Sequence, residues 1–223
     1  MNIMNQIMTA NVANNLYWLG RYLERVEATL LEINSTYDKI IDSDFDAGKK
    51  LYEKIGINLT YDSASAFRYE AILGEHDANL KKLLDFAREN AIISRVYIDQ
   101  EAFGSIIQLH DLFEKLVAAQ KVLDFKFMDE ALSLISEIWG ELTRRETRNV
   151  DDYFLKLGKY VEKVDFHLRV GKNKEYAIRM KEEIDEIFYV LAPRAKIKSY
   201  RIKDSVETIL EIINSKFSVI VTD

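Results

Sequence analysis

The chain has 223 residues, 31 Lys and Arg against 37 Asp and Glu for a formal net charge of −6, one proline, eight glycines and no cysteine. A content of 48% hydrophobic and 30% charged residues suits a folded chain with a sizeable core and excludes disorder. Without cysteine there is no disulfide framework, thiolate metal site or cysteine nucleophile, and the acidic balance argues against nucleic acid as a partner.

Scarce Pro and Gly point to long helices. The opening MNIMNQIMTANVANN has no Lys or Arg before Arg21, so it lacks the basic start of a secretory signal. No apolar run approaches the ~18 residues of a membrane span. The expectation is a cytoplasmic protein that does not enter a membrane.

In chain order, the first helix is expected over about 14–42, capped by Asn11 or Asn14. Its apolar seam is Leu16, Leu19, Leu23, Val26, Leu30, Ile33, Tyr37 and Ile40, in steps of three and four. The helix ends near DSDFDAG, residues 42–48. KLYEKIG then reads as a short helix, INLTYD as loop or a brief extended piece, and SASAFRYEAIL as helix. Leu80, Leu84, Ala87, Ala91, Ser94 and Ile98 continue at helical spacing, and the chain bends around IDQEAFG. Helices follow through Ile106, Leu109, Phe113 and Leu116, over MDEALSLISEIWGELTRR, and over about 150–171, where Gly171 provides a stop. KEYAIRMKEEIDEIFYVL is helical and closes at Ala192-Pro193. RAKIKSYRIK, with Arg194, Lys196, Lys198, Arg201 and Lys203, reads as a solvated connection or, on the alternative reading, as a contact for a phosphate or an acidic partner. DSVETILEIINSKF is the last predicted helix, and SVIVTD is a β-prone tail. The fold class is therefore all-α, a helical bundle forming one domain over 1–223.

LGRYLERVE at 19–27 aligns without a gap to LGKYVEKVD at 157–165. Gly20 matches Gly158, Tyr22 matches Tyr160 and Glu24 matches Glu162, while Arg21, Arg25 and Glu27 become Lys159, Lys163 and Asp165. The second seam is Phe154, Leu157, Val161, Val164 and Leu168. The bundle is thus expected to have two pseudo-repeated halves, each placing one such helix at the centre. Residues three or four apart share a helix face. On that spacing Glu24 goes with Gly20, Arg21 and Glu27, and Arg25 with Trp18, Tyr22 and Thr29. A glycine inside a helix costs about 1 kcal/mol relative to alanine, so close helix packing is the expected compensation at both copies.

NLYWLGRYLERVE (15–27), ARENAIISR (87–95) and FLKLGKYVEKVD (154–165) together resemble the Alpha-E family, a bacterial α-helical domain named for its Glu-Arg motif. The resemblance spans most of the chain in order, with Glu-Lys in the second copy where Glu-Arg is common. It implies an association with circularly permuted ATP-grasp proteins, often near transglutaminase-like proteins, and hence a system that makes or modifies peptide-like amide bonds.

The candidate polar cluster comprises Arg21, Glu24, Arg25, Arg88, Glu89, Asn90, Arg95, Lys159, Glu162 and Lys163. One reading is an interhelical ion network, in which Glu24, Glu89 and Glu162 are answered by Arg21, Arg88, Arg95 and Lys159. The other is a pocket that grips a substrate or a partner's peptide through arginine forks, with Glu as acid or base. Helical bundles host dimetal centres on paired Glu-x-x-His motifs, but Leu73, Ile107 and Val164 precede His76, His110 and His167 by three, so no metal site is expected. There is no Gly-x-Ser-x-Gly and no phosphate-cradling loop, so no cofactor is expected and ATP falls to a partner. Trp18, Tyr22 and Trp139 read as core aromatics at helical spacing, with binding aromatics as the alternative. Two functions stay open: a helical accessory partner of an ATP-grasp amide ligase, or an enzyme that acts itself on a peptide-like substrate at the Glu/Arg cluster.

Overall fold

A computed structural model describes residues 8–118, 123–144, 149–171, 174–192 and 206–222. The regular elements among them are helical: α1 (Ala10–Asp42), α2 (Ala47–Glu53), α3 (Ala64–Leu73), α4 (Leu80–Ile93), α5 (Gln100–Ala118), α6 (Phe125–Thr143), α7 (Val150–Val170), α8 (Lys174–Leu191) and α9 (Val206–Thr222), with a 3₁₀ turn at Arg95–Tyr97. The basic stretch 194–203 and Pro193 lie outside the described residues.

The 33-residue α1 is the axis. It packs along α7 on one side and α4 on another, and it also touches α2, α3, α6 and α9. The chain then folds α4 on α5 and α5 on α6, while α8 and α9 cover α7. The α1 seam is buried as the periodicity requires, apart from half-buried Tyr37, and Phe154, Leu157, Val161 and Val164 of α7 complete the core. No helix among the described residues is long and apolar enough to cross a membrane.

Local chemistry sets the boundaries. Thr9, not Asn11 or Asn14, caps α1 by accepting from the Val12 amide at 3.3 Å, so the helix starts earlier than the asparagines suggest. Asn15 instead bonds back to the Asn11 carbonyl. Ser63, Asn79 and Asp124 cap α3, α4 and α6. A capping box of Asn149 and Asp152 opens α7, and Gly171 closes it at φ +75°, a conformation that favours glycine.

Two expectations need correction. The periodicity through Ser94 and Ile98 does not mark one helix: α4 ends at Ile93, Ser94 is its buried cap, and Ile98 is extended beyond the 3₁₀ turn. A spacing of four returns an apolar residue to the core through a turn as well as through a helix. The tail SVIVTD is not a strand, because α9 runs on to Thr222. Ile209, Ile213 and Phe217 bury one helical face, and that tertiary contact overrides the β preference of Val219, Ile220 and Val221.

Candidate functional site: two unequal ion clusters on one helix pair

The glycines explain how α1 and α7 come together. A Cβ on Gly20 would strike the carbonyl oxygen of Leu155 and lie 3.0 Å from the Lys159 amide nitrogen. A Cβ on Gly158 would strike the carbonyl oxygen of Tyr17 and lie 3.1 Å from the Arg21 amide nitrogen. In the alignment Tyr17 matches Leu155 and Arg21 matches Lys159, so the two contacts are reciprocal. The backbones touch where only glycine fits, and the charged residues of each helix then reach past the crossing to the other.

The first cluster is closed. Glu162, 2% exposed, accepts from Arg21 Nε at 2.8 Å and from Arg25 through both Nε and Nη2, the latter at 2.9 Å. Asp165 accepts from Arg21 Nη2 at 3.3 Å and from Arg169 Nε. Burial alone raises a carboxyl pKa, but the two guanidiniums outweigh it and hold Glu162 below the usual carboxylate range. Burial likewise opposes the charge on Arg21, yet Glu162, Tyr17 and Asp165 hold its pKa above the ordinary value. Asp165 is shifted upward by burial and by Glu162, against the pull of Arg169 and Arg21. Arg21 lies with Arg25 rather than with Glu24 because its long side chain bends across to α7.

The second cluster sits at the aligned positions with the signs exchanged between helices, and it is loose. Glu24 of α1 is 5% exposed, and its nearest cation is Lys163 Nζ, 3.7 Å from Oε1. Oε2 is buried without a hydrogen-bond partner. Glu27 accepts from Trp139 Nε1 at 2.9 Å, and the Lys159 ammonium lies 3.6 Å from the centre of the Trp139 ring. Burial pushes Glu24 up to about 8, against the pull of Lys163. Burial, opposed by Glu24, brings Lys159 down to about 8. A lysine reaches a carboxylate with one point charge, where an arginine forks onto two oxygens. That substitution, Lys159 and Lys163 for Arg21 and Arg25, is why one cluster is saturated and the other is not.

The loose cluster borders a cleft of about 300 Å³ between α6, α7 and α8. Lys156, Lys159 and Lys163 line it along one row of α7, with Trp139, Tyr153, Tyr160 and Tyr176 as aromatic walls and Leu142, Leu155 and Met180 as apolar ones.

Four of the ten residues of the predicted cluster lie elsewhere. Arg88 and Glu89 pair with each other on the outer face of α4, at 2.9 Å, and no ion pair among the described residues links them to α1 or α7. Arg95 is exposed in the 3₁₀ turn, and Asn90 is half-buried on α4 and contributes its carbonyl to the Ser94 cap. Helical spacing cannot tell which face of α4 meets α1. Conversely, Asp165, Glu27, Lys156, Tyr160 and Tyr176 belong to the two clusters or the cleft and were not among the candidates. The repeat alignment carried a signal for Asp165 and Glu27, whereas nothing in the sequence brings α8 to α7. The pocket reading through arginine forks does not hold for Arg21 and Arg25, whose forks are filled by Glu162 and Asp165. Trp18 and Tyr22 are half-buried and stack in a row with exposed Phe86, and Trp139 is both nearly buried and cleft-lining.

Two other groups were invisible to motif spacing. Asp85 of α4 meets His110 and Glu114 of α5, the sort of donor set that can hold a cation. The Lys81 ammonium already lies 2.6 Å from Asp85 and 2.7 Å from Glu114, which supplies the positive charge from within the chain. Arg68 is 3% exposed, stacks 3.6 Å from the centre of the Tyr37 ring, and donates to the Leu123 carbonyl at 3.0 Å, which ties the start of α6 to α1.

No curated protein and no solved structure matches the chain. One family model does, over residues 8–215: Alpha-E, described as a predicted alpha-helical domain with a conserved ER motif. Glu24-Arg25 is the one Glu-Arg dipeptide of the sequence, and its two side chains divide between the loose cluster and the closed one. With an all-helical fold and a match over nearly its whole length, the chain belongs to the Alpha-E family.

Proposed function

We propose that the protein is a helical accessory partner in a bacterial ATP-grasp amide-ligase system, holding a peptide-like substrate or a partner's chain end while the circularly permuted ATP-grasp protein handles the nucleotide. The observation that carries this reading is the asymmetry of the two clusters. One is closed by arginines and is structural, while its lysine counterpart opens on a cleft with aromatic walls. The family supports the association with ATP-grasp proteins through the resemblance already described. The sequence supplies no glycine-rich phosphate cradle of its own.

The test is calorimetry of the isolated chain with Mg-ATP, followed by phosphate release from the permuted ATP-grasp protein with and without this chain. The expected result is no tight nucleotide binding alone, and a change in the partner's turnover that Lys159→Met weakens while helicity is kept. Sustained ATP turnover by the isolated chain overturns the proposal.

A second reading, catalysis by this chain itself, is favoured by one observation. Glu24 holds its proton up to about 8 beside two lysines, which suits a general acid or base near neutral pH. Turnover of a peptide-like substrate by the isolated chain, lost in Glu24→Gln, would move this reading to first place.

A further inference from the structure

We infer that the cleft between α6, α7 and α8 binds a single carboxylate carried on an apolar or aromatic group, the chemistry of a peptide chain end, with Lys159 as the partner of the anion. This names the ligand class of the site proposed above and rests on reading that cleft as a binding site.

The geometry of the three ammoniums leads to one anion. Lys156 is held by Glu183 at 3.1 Å, and Lys163 is directed to Glu24 at 3.7 Å. Lys159 makes no ion pair among the described residues and rests on the Trp139 ring, so one ammonium is available. A dianion would find no second ammonium that is not already directed to a carboxylate, and Asp152 is also in the lining. A single carboxylate matches the one ammonium and is preferred over a phosphate.

The walls specify the rest of the ligand. Leu142, Leu155 and Met180 offer apolar surface, and Tyr153 and Tyr160 offer ring faces. About 300 Å³ is at the lower end of small-molecule sites and is enough for one side chain and its carboxylate. The groups around the Lys159 ammonium are Glu24 and Glu27 of α1, Lys163 of its own helix and Trp139 of α6, with Tyr176 of α8 beside Lys163. An anion placed there restores the charge that burial disfavours. Binding at pH 8 therefore takes up protons, and it weakens as pH rises above 8.

The probe is the tripeptide Ala-Ala-Phe with a free carboxylate, compared with its C-terminal amide and with phenyl phosphate. Trp18→Phe leaves Trp139 as the single tryptophan, so that its fluorescence reports on the cleft. The expected result is saturable quenching by the acid, with the amide and phenyl phosphate each weaker by about tenfold or more, as befits loss of a charged hydrogen bond. Lys159→Met reduces binding of the acid to the level of the amide, whereas Lys49→Met on the outer face of α2 does not. Calorimetry at pH 8 in two buffers of different ionisation enthalpy then reads the proton uptake. Equal binding of acid and amide by the unmutated cleft overturns the inference without depending on any variant's folding. Tighter binding of phenyl phosphate overturns the choice of carboxylate. A chain that stimulates the ATP-grasp partner yet ignores the tripeptide keeps the proposed function and loses this inference. Tripeptide binding with no effect on that partner does the reverse.

Discussion

Glu24 and Glu162 occupy aligned positions and meet opposite electrostatic conditions, so the same substitution at each should move stability in opposite directions. Glu162→Gln withdraws charge from the buried Arg21 guanidinium and the part-buried Arg25 one. Breaking a buried ion network from one side costs ~3 kcal/mol or more. For a chain of this size the melting temperature should fall by roughly 6 °C or more. Glu24→Gln removes a charge that the bundle barely compensates. The folded-state pKa of Glu24 is raised from 4.5 to about 8, so its contribution to stability is present below about 4.5 and is lost as pH rises toward 8. The mutant should therefore gain on the wild type over that window, by up to ~1.4 kcal/mol per pH unit. Melting curves at pH 5, 6.5 and 8 give the check. A constant difference between the two proteins would show that the fold does not raise the Glu24 pKa above its unfolded value.

At the scale of elements, the α1–α7 contact depends on two glycines that meet backbone, and other helical glycines show the contrast. Gly104 in α5 and Gly140 in α6 have open space where a Cβ would stand. Gly104→Ala should stabilise the chain by ~0.5–1 kcal/mol, as a helix-interior glycine replaced by alanine does. Gly158→Ala gains the same propensity but drives its methyl into the Tyr17 carbonyl, so the helices must separate and the net effect should be a loss of ~2 kcal/mol or more. Denaturant titration of both variants decides the matter, and stabilisation by Gly158→Ala would refute the close crossing. Much of this was legible beforehand, because a glycine at both aligned positions of an otherwise good helix calls for close packing. The reach of Arg21 was not legible, since residue spacing assigns a side chain's root to a face but says nothing of where a long, flexible one ends.

For the whole molecule, the C-terminal helix closes the core rather than trailing from it. Phe217 of α9 stacks on Tyr17 with ring centres 4.1 Å apart and lies edge-on to Phe154 at 6.3 Å, and thereby spans α1 and α7. Lys216 beside it pairs with Asp185 of α8 at 3.1 Å. Phe217→Ala should cost ~3 kcal/mol or more, the usual penalty for a large aromatic lost from a packed core. A melting temperature unchanged from wild type would show that α9 does not seal the helix pair.

Helix content, the order of the long helices, the buried seams of α1 and α7 and the pairing of two charged helices at the centre could all be read from the chain alone. Each rests on local periodicity, or on a short motif recurring 138 positions later, and both are written along one dimension. The tertiary structure decided which charges meet. It placed Arg88, Glu89 and Arg95 on outer surfaces, made Asp165 part of a closed cage, and laid α8 beside α7 so that three lysines and four aromatic rings border one cleft. The physical reason is that ion pairing and burial depend on distances between elements far apart in sequence. Helical spacing fixes angles about a single axis and leaves those distances open.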